Sequence, residues 1–352
     1  MTHSPAAPDA PAVNVAVTGA SGLIGSRLVP ELVRRGATRV VGLDTRDPDR
    51  GSAGFEPHLV DVAGHEIETL LAGVDTVVHL AAVVDPIVDD ALMARANVEG
   101  TRRVLAAAAA VGVRKFVRVS TATVYGAWAT NPIPLTEDSP LRPNPGFAPA
   151  VHAAEVERLI HEWHQDHPDV VVTILRAAPV LGAGADHLFA RLLAGHRRLR
   201  IRREGAPVQV VHVDDVVAAL ALVVEEDHPG VFDVAAPGWL AADDVRNLMP
   251  RNALPAVPLD VMRRLLTRSW RSGVGEIPPS VLPYVLHPWV VATDRLESIG
   301  WSATHTNEET LLETHESLAT APNLPPKIAA AAAGVAAAGV AVGIAVNRSR
   351  RT

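Results

Sequence analysis

The 352-residue sequence contains no cysteine, and it has only two tyrosines and two lysines. The absence of cysteine excludes disulfide bonds, thiol nucleophiles and thiolate metal sites. A formal net charge of −7 argues against a general nucleic-acid-binding protein, which needs a basic surface. With 48% hydrophobic and 20% charged residues, the composition is typical of a globular chain with a large core.

The first eleven residues are rich in proline and alanine, and no basic start precedes an apolar run. This composition predicts a disordered lead rather than a signal peptide. The folded part is therefore expected in the cytoplasm.

Short apolar strands alternate with helical patterns in the first half of the chain. Strands are predicted at 13–17, 39–43, 59–60, 76–80, 116–120 and 170–175, with helices after the first strand and at 66–71, 93–111 and 151–164. Looser patterns follow, with helices at 187–194 and 216–224 and strands at 208–213 and 231–234. The alternation predicts an α/β fold with a doubly wound, Rossmann-type parallel sheet and a smaller α/β lobe partly interleaved with it.

A glycine-rich turn follows the first predicted strand and precedes the first helix. Gly19, Gly22 and Gly25 have the spacing G-x-x-G-x-x-G, with Ser21, Leu23 and Ile24 between them. Glycine permits a tight turn and close approach of a pyrophosphate, which the N-terminus of the helix attracts. A glycine turn without a ligand is the alternative.

Asp44 lies 19 residues after Gly25, at the end of the second predicted strand. A carboxylate there accepts hydrogen bonds from ribose hydroxyls and repels a 2′-phosphate, which favours NAD over NADP. The nearby Arg46 weakens this preference.

Seven motifs, in order, give the chain a resemblance to the extended short-chain dehydrogenase/reductase family, in its NAD-dependent epimerase/dehydratase branch. They span about residues 12–320 and are 18–25 (TGASGLIG), Asp61-Val62, 79–82 (HLAA), 97–101 (NVEGT), 120–126 (STATVYG), Leu175-Arg176 and 211–215 (VHVDD). The resemblance implies redox chemistry at a hydroxyl or carbonyl carbon of a small-molecule substrate, usually a nucleotide sugar. It also implies a homodimer through the helices at 93–111 and 151–164.

The same resemblance implies roles for individual residues. Asp61, followed by Val62, would contact adenine, and Asn97 would stabilise the helix near the site. Thr121 would stand at the family's catalytic Ser/Thr position. The turn that passes close to the cofactor would be Leu80, Ala81 and Ala82.

The family's Tyr-x-x-x-Lys pair is missing from this chain. The register of the helix at 151–164 places Pro149 at the tyrosine position and Ala153 at the lysine position. Neither Tyr125 nor Tyr284 is followed by lysine four residues later. Without this pair the family's standard mechanism is not available to the chain. The general acid/base catalysis that is lost with it is worth about 10²–10⁴-fold in rate.

Two residues are candidates for a substitute acid or base. Histidine is a common acid/base residue, but His152 lies about 100° round the helix from the lysine position, so a solvated helix histidine is the alternative. Tyr125 follows the fifth strand, where a packing role is the alternative.

Asp85 is interpreted as a solvated loop carboxylate. His212, Asp214 and Asp215 suit a helix N-cap and lobe contact better than a metal site, and no metal is expected.

Residues 328–346 form a 19-residue run of Ile, Val, Ala and Gly without a charge, and three arginines follow it. As a helix, the run would span about 28 Å, close to the ~30 Å hydrocarbon core of a bilayer. A transmembrane anchor is therefore predicted, with a membrane-surface helix and an Ala-rich soluble helix as alternatives.

The predicted organisation is a lead (1–11), an NAD-binding domain (12–177), a smaller substrate lobe (178–320), a linker (321–327), a membrane helix (328–346) and a basic tail (347–352). The function expected from the resemblance is that of an atypical NAD-dependent epimerase, dehydratase or oxidoreductase. The alternative is a catalytically silent NAD-binding sensor or scaffold at the membrane, which the missing pair supports. The substrate cannot be named from the sequence, because its pocket would come from the weakly patterned residues 178–320.

Overall fold

The computed structural model of the chain describes residues 13–47, 54–195, 201, 205–248 and 256–320. The strands are β1 (Asn14–Thr18), β2 (Arg39–Asp44), β3 (Phe55–Leu59), β4 (Thr76–His79), β5 (Lys115–Thr121), β6 (Val171–Ala177), β7 (Val180–Leu181), β8 (Val211–His212) and β9 (Gly230–Val234). The helices are α1 (Gly25–Arg34), α2 (Asp90–Ala94), α3 (Gly100–Val111), α4 (Ala148–Asp166), α5 (Leu188–Leu193), α6 (Val213–Glu225), α7 (Ala242–Leu248), α8 (Leu259–Arg271), α9 (Leu282–Leu286), α10 (Asp294–Glu297) and α11 (Asn307–Thr320).

Seven strands form one parallel sheet in the order β3-β2-β1-β4-β5-β6-β9. The strand order reverses between β1 and β4, which are neighbours with Thr18 in register with His79. Open α/β sheets bind ligands at such a switch point, outside the carboxyl ends of the strands. The predicted doubly wound parallel sheet is confirmed.

Helices cover both faces of the sheet because the central strands are apolar on both sides. The first face packs against α1 and α6, through buried residues such as Leu28 and Leu220. The second face packs against α3 and α4, through Val104 and Ile160 among others. The sheet takes its last strand from 230–234, well beyond the predicted domain boundary at 177, so the later residues are interleaved with the sheet.

Three local predictions differ from the structure. No helix forms at 66–71, where successive turns instead bury Ile67 and Leu71 against the sheet. The third strand is Phe55–Leu59 rather than 59–60, and its polar residues and proline give it no apolar pattern. Of the strand predicted at 208–213, only Val211–His212 forms, and Val208 pairs with Leu240 in an isolated bridge.

The predicted membrane helix at 328–346 lies outside the described residues. Among the residues that the structure describes, no helix combines the length and the apolar character that crossing a bilayer requires.

Candidate functional site

Four strands near the switch point each end at a residue that belongs to one of the sequence motifs or to the candidate cofactor residues. Thr18, Asp44, His79 and Thr121 are the last residues of β1, β2, β4 and β5. Because the strands are parallel, these four ends lie along one edge of the sheet. The candidate site is therefore this carboxyl edge.

The glycine turn is packed too tightly for a side chain at Gly19 or Gly25. A Cβ on Gly25 would lie 2.2 Å from the carbonyl oxygen of Gly19, and a Cβ on Gly19 would lie 2.9 Å from the amide nitrogen of Ala81. Gly19 also has φ +74°, a left-handed conformation that favours glycine. The turn thus brings the start of α1 against the end of β1.

The N-terminus of α1 is open to an anionic ligand. No side chain caps it, and its first turn contains no acidic residue. Ser21, Gly22, Leu23 and Ile24 precede the helix and are partly exposed. Unpaired amide groups and the helix dipole favour a phosphate at this position, so the cradle fits a pyrophosphate.

Asp44 is anchored to the same turn. Its Oδ2 accepts a hydrogen bond from the Ser21 amide at 2.8 Å, and its Oδ1 accepts one from the Arg46 amide at 2.9 Å. A carboxylate has about four acceptor positions, so capacity remains for ribose hydroxyls. The Arg46 guanidinium donates to the Ser21 carbonyl at 3.0 Å, beside the carboxylate.

The segment after β4 is held from two sides. Thr18 Oγ1 accepts a hydrogen bond from the Ala81 amide at 3.1 Å, which ties this segment to β1. Leu80 and Ala81 are partly buried and Ala82 is exposed. On the other side Asn97 binds Val83 through both of its amide atoms. The segment therefore lies beside the glycine turn, and its predicted contact with the cofactor stays a prediction.

Asp61 and Val62 follow β3 and have different environments. Asp61 Oδ1 accepts a hydrogen bond from the Ala63 amide at 2.9 Å, and its carboxylate is partly exposed. Val62 is buried with the α3 side of the core. Their contact with adenine stays a prediction.

Thr121 lies at the junction of β5 and a short 3-10 helix, Ala122–Tyr125. Its Oγ1 accepts a hydrogen bond from the Thr123 amide at 3.2 Å and lies 3.1 Å from Thr123 Oγ1. The side chain is partly buried. These contacts fix the hydroxyl at the sheet edge, although its catalytic role stays a prediction.

A cavity of about 610 Å³ lies among residues of the loosely patterned second half of the chain. Much of its wall is apolar or aromatic, including Phe189, Leu192, Val208, Tyr284 and Trp289. Tyr284 donates a hydrogen bond from its hydroxyl to the carbonyl oxygen of Thr123 at 2.9 Å, and Trp289 donates to the Tyr284 carbonyl. The cavity wall is thus connected to the residues that hold Thr121, a connection that no local sequence pattern indicates.

Asp85 is not the solvated loop carboxylate that the sequence suggested. Its Oδ1 accepts a hydrogen bond from the Leu188 amide at 2.6 Å, and its Oδ2 binds the Arg191 guanidinium at 2.6 Å. Asp85 therefore joins the segment after β4 to helix α5. The prediction failed because the partners lie more than 100 residues away in sequence.

The predicted N-cap role of His212 is confirmed. Its Nδ1 accepts a hydrogen bond from the Asp214 amide at 3.2 Å at the start of α6, and its ring stacks on His305. Asp215 is buried and binds the Thr304 and His305 amides. Among the described residues no group of three or more His, Asp or Glu side chains is arranged to hold a metal ion.

Residues 15–235 match the model of the NAD-dependent epimerase/dehydratase family. The chain belongs to this family. It is 30% identical over 328 residues to a 3-diazoavenalumate denitrifying reductase of a Streptomyces species, covering 83% of this chain and 97% of that protein. It is 31% identical over 256 residues to a dTDP-glucose 4,6-dehydratase of Streptomyces griseus, covering 66% and 76%.

A solved structure with the same fold is MoeE5 in complex with UDP-glucose and NAD. The two chains share 25% identity with a TM-score of 0.70, and the match covers 86% of this chain and 98% of that one. The resemblance that the seven motifs indicated is therefore confirmed for fold and family.

This member of the epimerase/dehydratase family has no tyrosine or lysine in the first turns of α4. Pro149 occupies the first turn, where proline is tolerated, and Ala153 is buried one turn later. The tyrosines and the described lysine are engaged elsewhere. Lys115 donates three hydrogen bonds to carbonyl oxygens at the end of α6 and its neighbouring loop.

Tyr125 is 1% exposed and bonds inside the protein rather than at the open edge. Its hydroxyl donates to the Asp233 carboxylate at 2.9 Å and accepts from Arg176 Nη1 at 2.8 Å. Burial and the Asp233 charge raise the pKa of Tyr125 above its ordinary value. The packing role is therefore favoured over catalysis for this residue.

Asp233 and Glu157 share this buried network with Tyr125 and Arg176. Burial and the nearby Glu137 raise the pKa of Asp233 to about 8. Glu157 accepts hydrogen bonds from Ser120 and from Arg176, with 2.7 Å to Arg176 Nη2. Burial opposes the Arg176 charge, but Glu157 outweighs it and raises the pKa of Arg176. The network joins β5, β6 and β9 to α4.

His152 is only 8% exposed, so the alternative of a solvated helix histidine is wrong. Its Nε2 lies 3.5 Å from Asp90 Oδ1 of α2, and its buried Nδ1 has no hydrogen-bond partner. The ring thus lies beside Asp90 of α2, and within the described residues no hydrogen bond joins it to Thr121. A catalytic role for His152 stays a prediction.

Proposed function

We propose that this chain binds NAD across the carboxyl edge of its sheet and carries out redox chemistry at a hydroxyl or carbonyl carbon of a small-molecule substrate. The observation that carries the proposal is the contact between Gly25 and Gly19, because it packs the uncapped start of α1 directly against the end of β1 at the carboxyl edge. Asp44 stands beside this cradle, where a carboxylate recognises ribose hydroxyls and repels a 2′-phosphate.

Each predicted cofactor residue has a task in this proposal. The pyrophosphate binds at the amide groups of the turn from Gly19 to Gly25, and Asp44 accepts hydrogen bonds from the adenosine ribose. Asp61 and Val62 contact adenine. Asn97 fixes the segment from Leu80 to Val83, over which the remaining half of the cofactor extends. When bound, NAD supplies a hydride acceptor or, in its reduced form, a hydride donor.

We place the substrate, a nucleotide sugar, in the cavity of about 610 Å³. This volume falls in the usual range for small-molecule sites. MoeE5 is named as binding UDP-glucose, and one relative is named as a dTDP-glucose dehydratase, which supports a sugar nucleotide. Tyr284 links the cavity wall to Thr123 and so to the Thr121 hydroxyl, which hydrogen-bonds the reacting oxygen in this proposal.

A second candidate function is a catalytically silent NAD-binding sensor or scaffold. Pro149 and Ala153 favour it, because neither side chain can transfer a proton. A screen of nucleotide sugars with the full chain, following reduced-nicotinamide absorbance and product formation, separates the two functions. Turnover that Thr121→Ala abolishes while NAD affinity is kept supports the enzyme. Binding of NAD without turnover on any substrate supports the sensor.

We also propose that residues 328–346 attach the protein to a membrane, with the folded part in the cytoplasm. The support is the 19-residue uncharged run followed by arginines. Alkaline carbonate extraction of cell membranes tests it. Retention in the membrane fraction is expected, and full release would refute a spanning segment.

A homodimer through α3 and α4 stays a prediction that light scattering can test.

A further inference from the structure

Arg118 is a buried cation with no carboxylate partner among the residues that the structure describes. It lies in β5, in register with His79 of β4, and its side chain is 4% exposed. The carboxylate that raises its pKa is Glu157, which is already bound by Arg176 and Ser120. Burial lowers the pKa of Arg118 to about 10, so the guanidinium remains charged at neutral pH.

The hydrogen bonds of Arg118 leave part of its donor capacity unused. Its Nη1 donates to the His79 carbonyl at 3.0 Å and to the Ala81 carbonyl at 3.4 Å. Its Nε is buried and has no partner, and Nη2 makes no hydrogen bond within the described residues. Unused donors on a buried guanidinium are costly, so a ligand oxygen that accepts a hydrogen bond from Nη2 must be considered.

The carbonyl groups that bind Arg118 belong to the segment bordering the candidate cofactor site. Ala81 is the residue whose amide would lie 2.9 Å from a Cβ on Gly19. A dinucleotide whose pyrophosphate lies at the start of α1 and whose adenosine ribose lies at Asp44 must extend its other half in the opposite direction. That direction leads from β1 over the end of β4, where the Arg118 guanidinium binds the His79 and Ala81 carbonyls.

We infer that the Arg118 guanidinium binds the half of the dinucleotide that lies beyond the pyrophosphate, donating hydrogen bonds to its oxygen atoms. This inference rests on the proposed NAD site. Arg118 lies in β5, and its guanidinium also fixes the Ala81 carbonyl in the segment beside the glycine turn.

Titration of the full chain with NADH and with ADP tests the role of Arg118. ADP contains the adenosine half and the pyrophosphate but lacks the half that Arg118 is inferred to bind. Arg118→Met replaces the cation by an apolar chain of similar length. We expect its NADH dissociation constant to rise about tenfold or more, with ADP affinity kept within about twofold. Lys115→Met, which removes a buried cation from the same strand, is the matched control and should keep the wild-type ratio of NADH to ADP affinity.

The remaining outcomes contradict either the inference about Arg118 or the proposed function. Unchanged NADH affinity in Arg118→Met, or equal loss of NADH and ADP affinity, overturns the inference, since equal loss marks a purely structural role. If Arg118→Met does not fold by circular dichroism, Arg118→Lys decides, with a selective loss of NADH affinity expected and equal effects on both ligands overturning the inference. If the wild-type chain binds ADP but not NADH, the proposed function itself fails.

Discussion

Asn97 binds both backbone groups of Val83: its Oδ1 accepts from the Val83 amide at 2.7 Å, and its Nδ2 donates to the Val83 carbonyl at 3.0 Å. Asn97 lies in a π-helical turn, Arg95–Glu99, between α2 and α3. Such turns are often found at functional sites. One buried side chain thus fixes the segment after β4 on the helix that follows it.

Substitution of Asn97 by leucine should loosen this segment. The variant leaves the Val83 amide and carbonyl without their partner, so we expect a loss of about 1–3 kcal/mol in the free energy of unfolding. NADH affinity should fall as well, because the segment borders the cofactor site. Urea unfolding and NADH titration measure the two effects. Unchanged values for both would contradict a positioning role for Asn97.

Substitution of Gly25 by alanine should abolish NAD binding. Its Cβ would lie 2.2 Å from the Gly19 carbonyl oxygen, so the turn must open or the helix must shift. Gly100 provides the matched control, since its Cβ would meet only ordinary contacts, the nearest at 3.5 Å from the Ala63 methyl carbon. Gly100→Ala, in helix α3, should keep NAD affinity and leave stability equal or higher. Equal NAD affinity in both variants would show that the cradle does not bind the cofactor.

The parts of the fold that the sequence predicted correctly are those with a local apolar pattern. The valine-rich runs that became β1 and β4 are buried on both faces, so the residues alone indicate parallel strands. β3 was misplaced because an edge strand containing Glu56, Pro57 and His58 carries no such pattern.

The contacts that depend on strand order could not be predicted. Tyr125 and Asp233 are 108 residues apart and meet because β6 joins β5 to β9. Arginine usually lies at the protein surface, yet the pairing of β4 with β5 buries Arg118. The position of the glycine turn was predictable, since its glycine spacing lies within eight consecutive residues, 18–25.

The pH dependence of stability should reflect Asp233. Its pKa is raised from 3.8 in the unfolded chain to about 8 in the folded protein, so folding takes up a proton between these values. The contribution of Asp233 to the free energy of unfolding is therefore fully present below pH 3.8, and it is lost as the pH rises through about 8. The loss amounts to about 1.4 kcal/mol per pH unit within this window.

Asp233→Asn removes this titration and keeps an oxygen that can accept from Tyr125. The variant should gain stability relative to the wild type as the pH rises from 5 to 8, with a slope of up to about 1.4 kcal/mol per pH unit. Urea unfolding at several pH values measures the difference. Parallel profiles for the two proteins would show that Asp233 is ionised in the folded state at neutral pH.

Glu157→Gln should strongly destabilise the fold. The side chain is buried, and replacing its carboxylate by an amide leaves the Arg176 guanidinium with no carboxylate within ion-pair distance in the described part of the chain. Loss of one partner of a buried ion pair costs about 3–5 kcal/mol. Glu155→Gln on the exposed face of the same helix breaks a surface pair with Arg158 and should cost about 1 kcal/mol or less. Similar losses for the two variants would refute a special role for the buried pair.

The most direct test of the central claim is isothermal titration calorimetry of the full-length protein with NAD. The geometry of the Gly19–Gly25 cradle and of Asp44 predicts saturable binding at one site per chain, with weaker binding of NADP because of the carboxylate. An absence of binding to either dinucleotide would contradict the proposed function in both its catalytic and its silent form.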